Sequence, residues 1–147
     1  MKITDILLAE HIVFHNIFDH IEKTLPRLRT LAEIRAMAAM LEDLLRGHSQ
    51  TEDELLLAPL EHYLEQIGQR DSFEHEHHEI DANLLKIQQA RTVPEARRLL
   101  QHAVAYSRKH FDHEERIVFP LAEKVMKAST LRELGRTWLR KRDALPG

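Results

Sequence analysis

The chain has 147 residues, with 21 Lys and Arg against 24 Asp and Glu, 43% hydrophobic residues, few aromatics and no cysteine. This length suits a single domain spanning residues 1–147, and a net charge of −3 offers no concentrated positive field for a nucleic-acid backbone. The lack of thiols excludes disulfides, thiolate catalysis and sulfur-held metal, and no run approaches the ~20 apolar residues of a membrane span, so the expected location is the cytoplasm.

Thr4 is the expected N-cap of a first helix that runs to about Leu25, where Pro26 ends it. Its apolar stripe is Ile6, Leu7, Phe14, Phe18, Ile21 and Leu25, and His11 falls inside that stripe. Thr30-Leu-Ala-Glu33 has the spacing of a capping box and opens a second helix. Its inward positions read Met37, Met40, Leu41, Leu44, Leu45, His48, Glu52, Leu55 and Leu56, until Pro59 kinks or breaks it. After an irregular stretch around Gly68, Ser72 is the expected cap of a third helix whose inward positions are Phe73, His77, Ile80, Leu84 and Ile87. Thr92-Val-Pro94 opens a fourth, with Leu99, Ala103, Tyr106, His110, Glu114 and Ile117 inward and Pro120 closing or kinking it. A second capping box, Thr130-Leu-Arg-Glu133, begins a short last helix that packs through Leu131, Leu134 and Trp138. The basic residues from Arg136 to Arg142 suit the C-terminal end of that helix.

Short connections imply antiparallel neighbours. The expected fold is therefore all-α, an up-down-up-down four-helix bundle with a short fifth C-terminal helix. Counting from the turns, His11 lies about 16 residues before the first and His48 about 19 after it. His77 and His110 stand about 15 and 18 residues from the second, so the histidines of each hairpin meet at nearly one height.

Eleven histidines against two tyrosines and one tryptophan is the odd entry in the composition. His48-Ser-Gln-Thr-Glu52 recurs as His110-Phe-Asp-His-Glu114, and residues four apart share a helix face. Two inward glutamates cost several kcal/mol each to bury without a positive partner, and no Lys or Arg occupies an inward position beside them. A pair of divalent ions supplies the partner. His11 and His48 would serve one ion, His77 and His110 the other, and Glu52 and Glu114 would bridge. Such a site leaves coordination positions open to dioxygen, peroxide or nitric oxide. The ferritin-like pattern fits poorly, since only Glu74-His-Glu-His77 supplies Glu-x-x-His on the core face.

Glu10-His11, His48-x-x-x-Glu52, Glu76-His77-His78-Glu79-Ile80 and His110-x-x-x-Glu114-Glu115 with Phe119-Pro120 together resemble the repeated pattern of the hemerythrin-like (HHE cation-binding) domains over nearly the whole chain. The resemblance implies two non-haem iron ions in a carboxylate-bridged centre with an oxo or hydroxo bridge. It makes His11, His48, His77 and His110 terminal ligands and Glu52 and Glu114 bridges. Oxygen-carrying hemerythrins place two histidines four apart on the third helix, whereas this chain has His11 and His15 on the first, and His15 is expected either as a fifth histidine ligand or as a half-exposed residue beside the site. The four-histidine, two-glutamate pattern is closer to members associated with repair of iron centres; those also carry a cysteine-bearing N-terminal segment, and this chain has no cysteine. The expected function is binding of dioxygen or a related small diatomic or peroxide ligand for transport, storage or sensing. The alternatives are an oxidoreductase acting on peroxide or nitric oxide, favoured by the nearby acids Asp53, Glu54 and Glu115, and an iron-handling protein. His75 and His78 read as exposed flanks of the third helix, and His20, His62, His102 and His113 as surface or rim residues.

Overall fold

The computed structural model describes residues 1–143, and among these there is no strand. Six helices follow one another: α1 (Ile3–Thr24), α2 (Leu31–Glu52), α3 (Ala58–Gln66), α4 (Arg70–Gln89), α5 (Val93–Val125) and α6 (Ala128–Asp143). A 3-10 turn at Leu25–Arg27 follows α1, and a π-helical turn at Asp53–Leu57 joins α2 to α3 without a break. None of these helices is long and apolar enough to cross a membrane.

Local signals set several boundaries. Thr30 forms the expected capping box with Glu33, and Thr92 accepts from the Glu95 N–H at 3.3 Å, satisfying amides that the first turn of a helix leaves free. Gly68 takes φ +71°, while Gln69 N–H donates to Leu64 O and Gly68 N–H to Glu65 O. That pair of bonds closes α3 in a Schellman motif.

Tertiary packing overrides other expectations. Thr4 lies inside α1 rather than capping it, and its buried hydroxyl donates to Glu123 at 2.6 Å. Ser72 is inside α4, which starts two residues earlier, and Thr130 is inside α6, which starts at Ala128. Pro59 falls in the first turn of α3, where its missing N–H costs little, and Pro120 does not end α5, which continues to Val125. Both prolines sit on exposed faces, where water can satisfy a freed carbonyl. Met40 and Leu44 point outward, and Leu99, Tyr106 and Ile117 lie at the rim of the core. The buried face of α5 runs through Ala96, Leu100, Val104, Ser107, Phe111 and Val118.

The core falls into two apolar clusters. One contains Phe14, Phe18, Leu41, Leu45, Ile80, Leu84, Val104 and Phe111. The other contains Ile3, Leu7, Leu55, Leu56, Phe73, Val118 and Leu131. In α1, α2, α4 and α5 alike, a polar layer separates residues of one cluster from residues of the other: His11, then His48 and Glu52, then His77, then His110 and Glu114. The bundle thus gives up part of its apolar core for one layer of ionisable groups.

Candidate metal centre

Each of the four helices contributes to the layer. The imidazoles of His11 and His48 face each other with Nε2 atoms 3.2 Å apart, and those of His77 and His110 with Nε2 atoms 2.9 Å apart. Glu52 approaches His48 Nε2 at 3.2 Å, and Glu114 approaches His110 Nε2 at 3.1 Å, the i,i+4 pairs that the repeat implied. Glu114 also lies 3.6 Å from His11 Nε2, and Glu52 lies 3.9 Å from both His11 and His77 Nε2. Two four-residue groups result: His11, His48, Glu52 and Glu114, and Glu52, His77, His110 and Glu114. Within each, one donor atom per residue lies within 4.8 Å of all the others. Both groups contain both glutamates.

Both oxygens of Glu52 and both of Glu114 are buried without a hydrogen-bond partner, and both side chains have zero exposure. An orphaned buried carboxylate is unfavourable by several kcal/mol unless it is paired or neutralised. In the metal-free chain, burial and then the charge of Glu52 push the Glu114 carboxyl well above the usual carboxylate range. Burial acts on Glu52 in the same sense, but its contacts to Glu114 and His48 outweigh it and keep Glu52 the charged member. Burial and then the neighbouring His48 lower His11 to about 3, so its ring carries a single proton at neutral pH. His48 is equally buried, yet its contacts to Glu10 and Glu52 override that and raise it to about 10. Four converging imidazole nitrogens with two carboxylates common to both groups are the donor set that nitrogen- and oxygen-preferring divalent ions take. The residues fit the group.

A second set of acids, each adjacent in sequence to a clustered residue of another helix, approaches the far nitrogens of the histidines. Glu10, preceding His11, reaches His48 Nδ1 at 3.2 Å, and Glu76, preceding His77, reaches His110 Nδ1 at 3.3 Å. Asp53, following Glu52, reaches His77 Nδ1 at 3.2 Å, and Glu115, following Glu114, stands 3.8 Å from His11 Nδ1. A carboxylate on the distal nitrogen fixes both the tautomer and the ring orientation of a ligating histidine. The site therefore has an approximate twofold pattern, pairing α1 with α4 and α2 with α5. It is broken at the π turn, where Asp53 sits within reach of its histidine while Glu115, in regular helix, falls short.

His15 joins neither group. Its Nδ1 accepts from Arg108 Nη1 at 2.9 Å, which leaves the proton on Nε2. Arg108 is anchored in turn on Asp19 and Glu22. His15 meets the ring of Phe111 edge-on, and Phe111 stacks on His11 with centroids 3.9 Å apart. His113 is not a plain rim residue. It stacks on Phe73, its Nδ1 lies 2.5 Å from Glu76, and its Nε2 lies 3.1 Å from Gln69. Its signal in the sequence is its place three residues after His110, on the same face of α5.

The inequality between the halves lies instead at His77. His11, His48 and His110 are almost wholly enclosed, whereas the His77 side chain is 15% exposed. Two clefts reach it. One, of about 470 Å³, is lined by Leu45, Gln50, Asp53, Ile80, His110 and Phe111 besides His77, and the other, of about 420 Å³, by Leu64, Arg70, Phe73 and Asp81 among others.

Residues 2–122 match the protein-family profile described as the hemerythrin HHE cation binding domain. No curated protein and no solved structure matches the chain. The matched segment holds all six clustered residues and their four supporting acids, and leaves α6 outside. The chain belongs to the hemerythrin HHE cation-binding domain family.

Proposed function

We propose that the chain is a non-haem, carboxylate-bridged di-iron protein that binds dioxygen or a related small ligand. His11 and His48 would hold one ion and His77 and His110 the other, with Glu52 and Glu114 shared between them. The observation that carries this reading is the pair of fully buried carboxylates, all four oxygens unpartnered, set between two histidine pairs. Bound iron supplies a redox-active Lewis acid with positions the protein leaves free. Six side chains distributed over two ions leave such positions. The up-down-up-down arrangement is part of the proposal, and what supports it is the order in which each helix meets the two core clusters, which alternates from α1 to α2 and from α4 to α5.

The chain's own residues favour entry of the ligand at the His77 half. The larger cleft touches His77 and His110, and Leu45, Ile80 and Phe111 give it an apolar wall suited to a small, weakly polar molecule. His11 and His48 line neither cleft. Phe111 packs against His11 and His48 and keeps water from that side.

One observation favours a second reading, turnover of peroxide or nitric oxide. Asp53 is half exposed, faces His77 Nδ1 and lines both clefts, so it is placed to pass protons between solvent and the imidazole. Exposing the anaerobic ferrous protein to dioxygen separates the two. Binding gives a visible absorption band that disappears when dioxygen is removed. Turnover gives prompt oxidation without a reversible band, together with peroxide consumption.

A further inference from the structure

The helix outside the family match sends a side chain to the metal layer. Arg142, near the C-terminal end of α6, donates from Nη2 to Glu10 Oε2 at 2.9 Å, and the other oxygen of Glu10 lies 3.2 Å from His48 Nδ1. We infer that Arg142 is a positioning residue for the His11/His48 half of the centre, acting through Glu10. The inference rests on the two-ion reading above.

Several independent features seat this arginine. Its guanidinium lies over the Trp138 ring, 4.8 Å from the centroid and one turn back on the same helix. On α2, a Cβ at Gly47 would come within 3.3 Å of Arg142 Nη1, so the glycine leaves the room that the guanidinium uses. Lys141 pairs with Glu54 in the π turn, which ties the same end of α6 to the chain just beyond Glu52. At the middle of the helix, a Cβ at Gly135 would clash with the Met1 carbonyl oxygen, so α6 lies directly on the chain just before α1. Leu131 is fully buried in the core beneath it. The helix is docked along its length with the arginine aimed at Glu10.

The matching acid on the other half is held differently. Glu76, which faces His110 Nδ1, is gripped by His113 rather than by an arginine, and His113 leans on Gln69 and Phe73. The layer beyond the ligands therefore breaks the twofold pattern: a fixed cation from α6 supports one half, and an imidazole within α5 supports the other. Groups that orient a ligating histidine typically change metal affinity by ~10–100-fold when removed. Coupling of this kind is reciprocal, so ions bound at the centre hold the C-terminal end of α6 against the bundle by the same factor.

The test compares Arg142→Met, Arg142→Lys, His113→Gln and Arg140→Met in the full chain. Stepwise cobalt(II) dissociation constants and iron Mössbauer spectra are the readouts. Arg142→Met is expected to weaken one of the two cobalt steps by about tenfold, to leave the other within about twofold, and to move one of the two iron signals. Arg142→Lys restores most of the loss, and His113→Gln moves the other iron signal. Arg140 bonds to Thr137 on its own helix, so Arg140→Met removes the same charge without effect. The inference is overturned if Arg142→Met leaves both constants and both signals as in the native chain, or if Arg140→Met changes them as much. Uptake of two ions with no Arg142 effect removes this inference alone. Uptake of fewer than two by the native chain removes the two-ion reading and this inference with it.

Discussion

Replacing Glu114 with Gln should stabilise the metal-free protein while abolishing its stabilisation by metal. The Glu114 carboxyl is fully buried and its affinity for a proton is raised, first by burial and then by the charge of Glu52. A carboxyl raised in the folded state gives stability that is complete at and below its unfolded value near 4.5 and is lost as pH rises through the folded value. Each pH unit inside that window costs about 1.4 kcal/mol. Between pH 5 and pH 7 the native chain therefore loses at most ~3 kcal/mol at this residue, and the isosteric amide, which does not titrate, loses none. For a domain of this size each kcal/mol moves the melting temperature by roughly 2–4 °C. Urea unfolding of chelator-treated protein at pH 5 and pH 7, followed by circular dichroism, measures the difference. Glu114→Gln should match the native chain within about 1 kcal/mol at pH 5 and be the more stable of the two at pH 7. Added iron(II) should then raise the stability of the native chain only. A variant no more stable than the native chain at pH 7, or equally favoured at both values, would refute the reasoning.

Because contacts to Glu10 and Glu52 raise His48 to about 10 against its burial, and Glu114 is also raised, both hold protons that metal must displace. Uptake at pH 7 should therefore release protons, and affinity should climb with pH. Calorimetry in buffers of different ionisation enthalpy measures the count, and no release would contradict it. Gly135→Ala places a methyl carbon against the Met1 carbonyl and should cost ~1–3 kcal/mol in thermal unfolding, while an unchanged melt would show that the N-terminus yields freely. His15→Ala should keep two ions and an unaltered spectrum, since Arg108 occupies its ring nitrogen outside both metal groups. Loss of an ion or a new spectrum would restore it as a fifth histidine ligand.

Much of the site was legible because its information is local. A histidine four residues before a glutamate on an apolar stripe states its own geometry, and His48/Glu52 and His110/Glu114 stand where that spacing puts them. The caps at Thr30 and Thr92 were readable for the same reason. Features that depend on packing between distant segments were not. Pro120 looks like a terminator until α5 is seen to carry it on an exposed face, and Thr4 looks like a cap until Glu123 approaches from the far end of α5. The π turn after Glu52, which brings Asp53 to His77, has no signature in the sequence beyond Pro59. His15, four residues after His11, shows how spacing alone leaves a face undecided, for its ring turns towards Arg108 and joins neither group. Arg142 looked like an ordinary cation at a helix end, and only the docking of α6 reveals what it holds.

Two orphaned buried carboxylates and four converging imidazoles are a costly layer to keep in a core unless it holds two metal ions. Elemental analysis of the chain after anaerobic loading with iron(II) and removal of excess metal tests it most directly. Two iron ions per chain are expected in the native protein, with marked loss in Glu52→Ala and Glu114→Ala. A native chain that retains one ion or none, or glutamate variants that retain both, would contradict it.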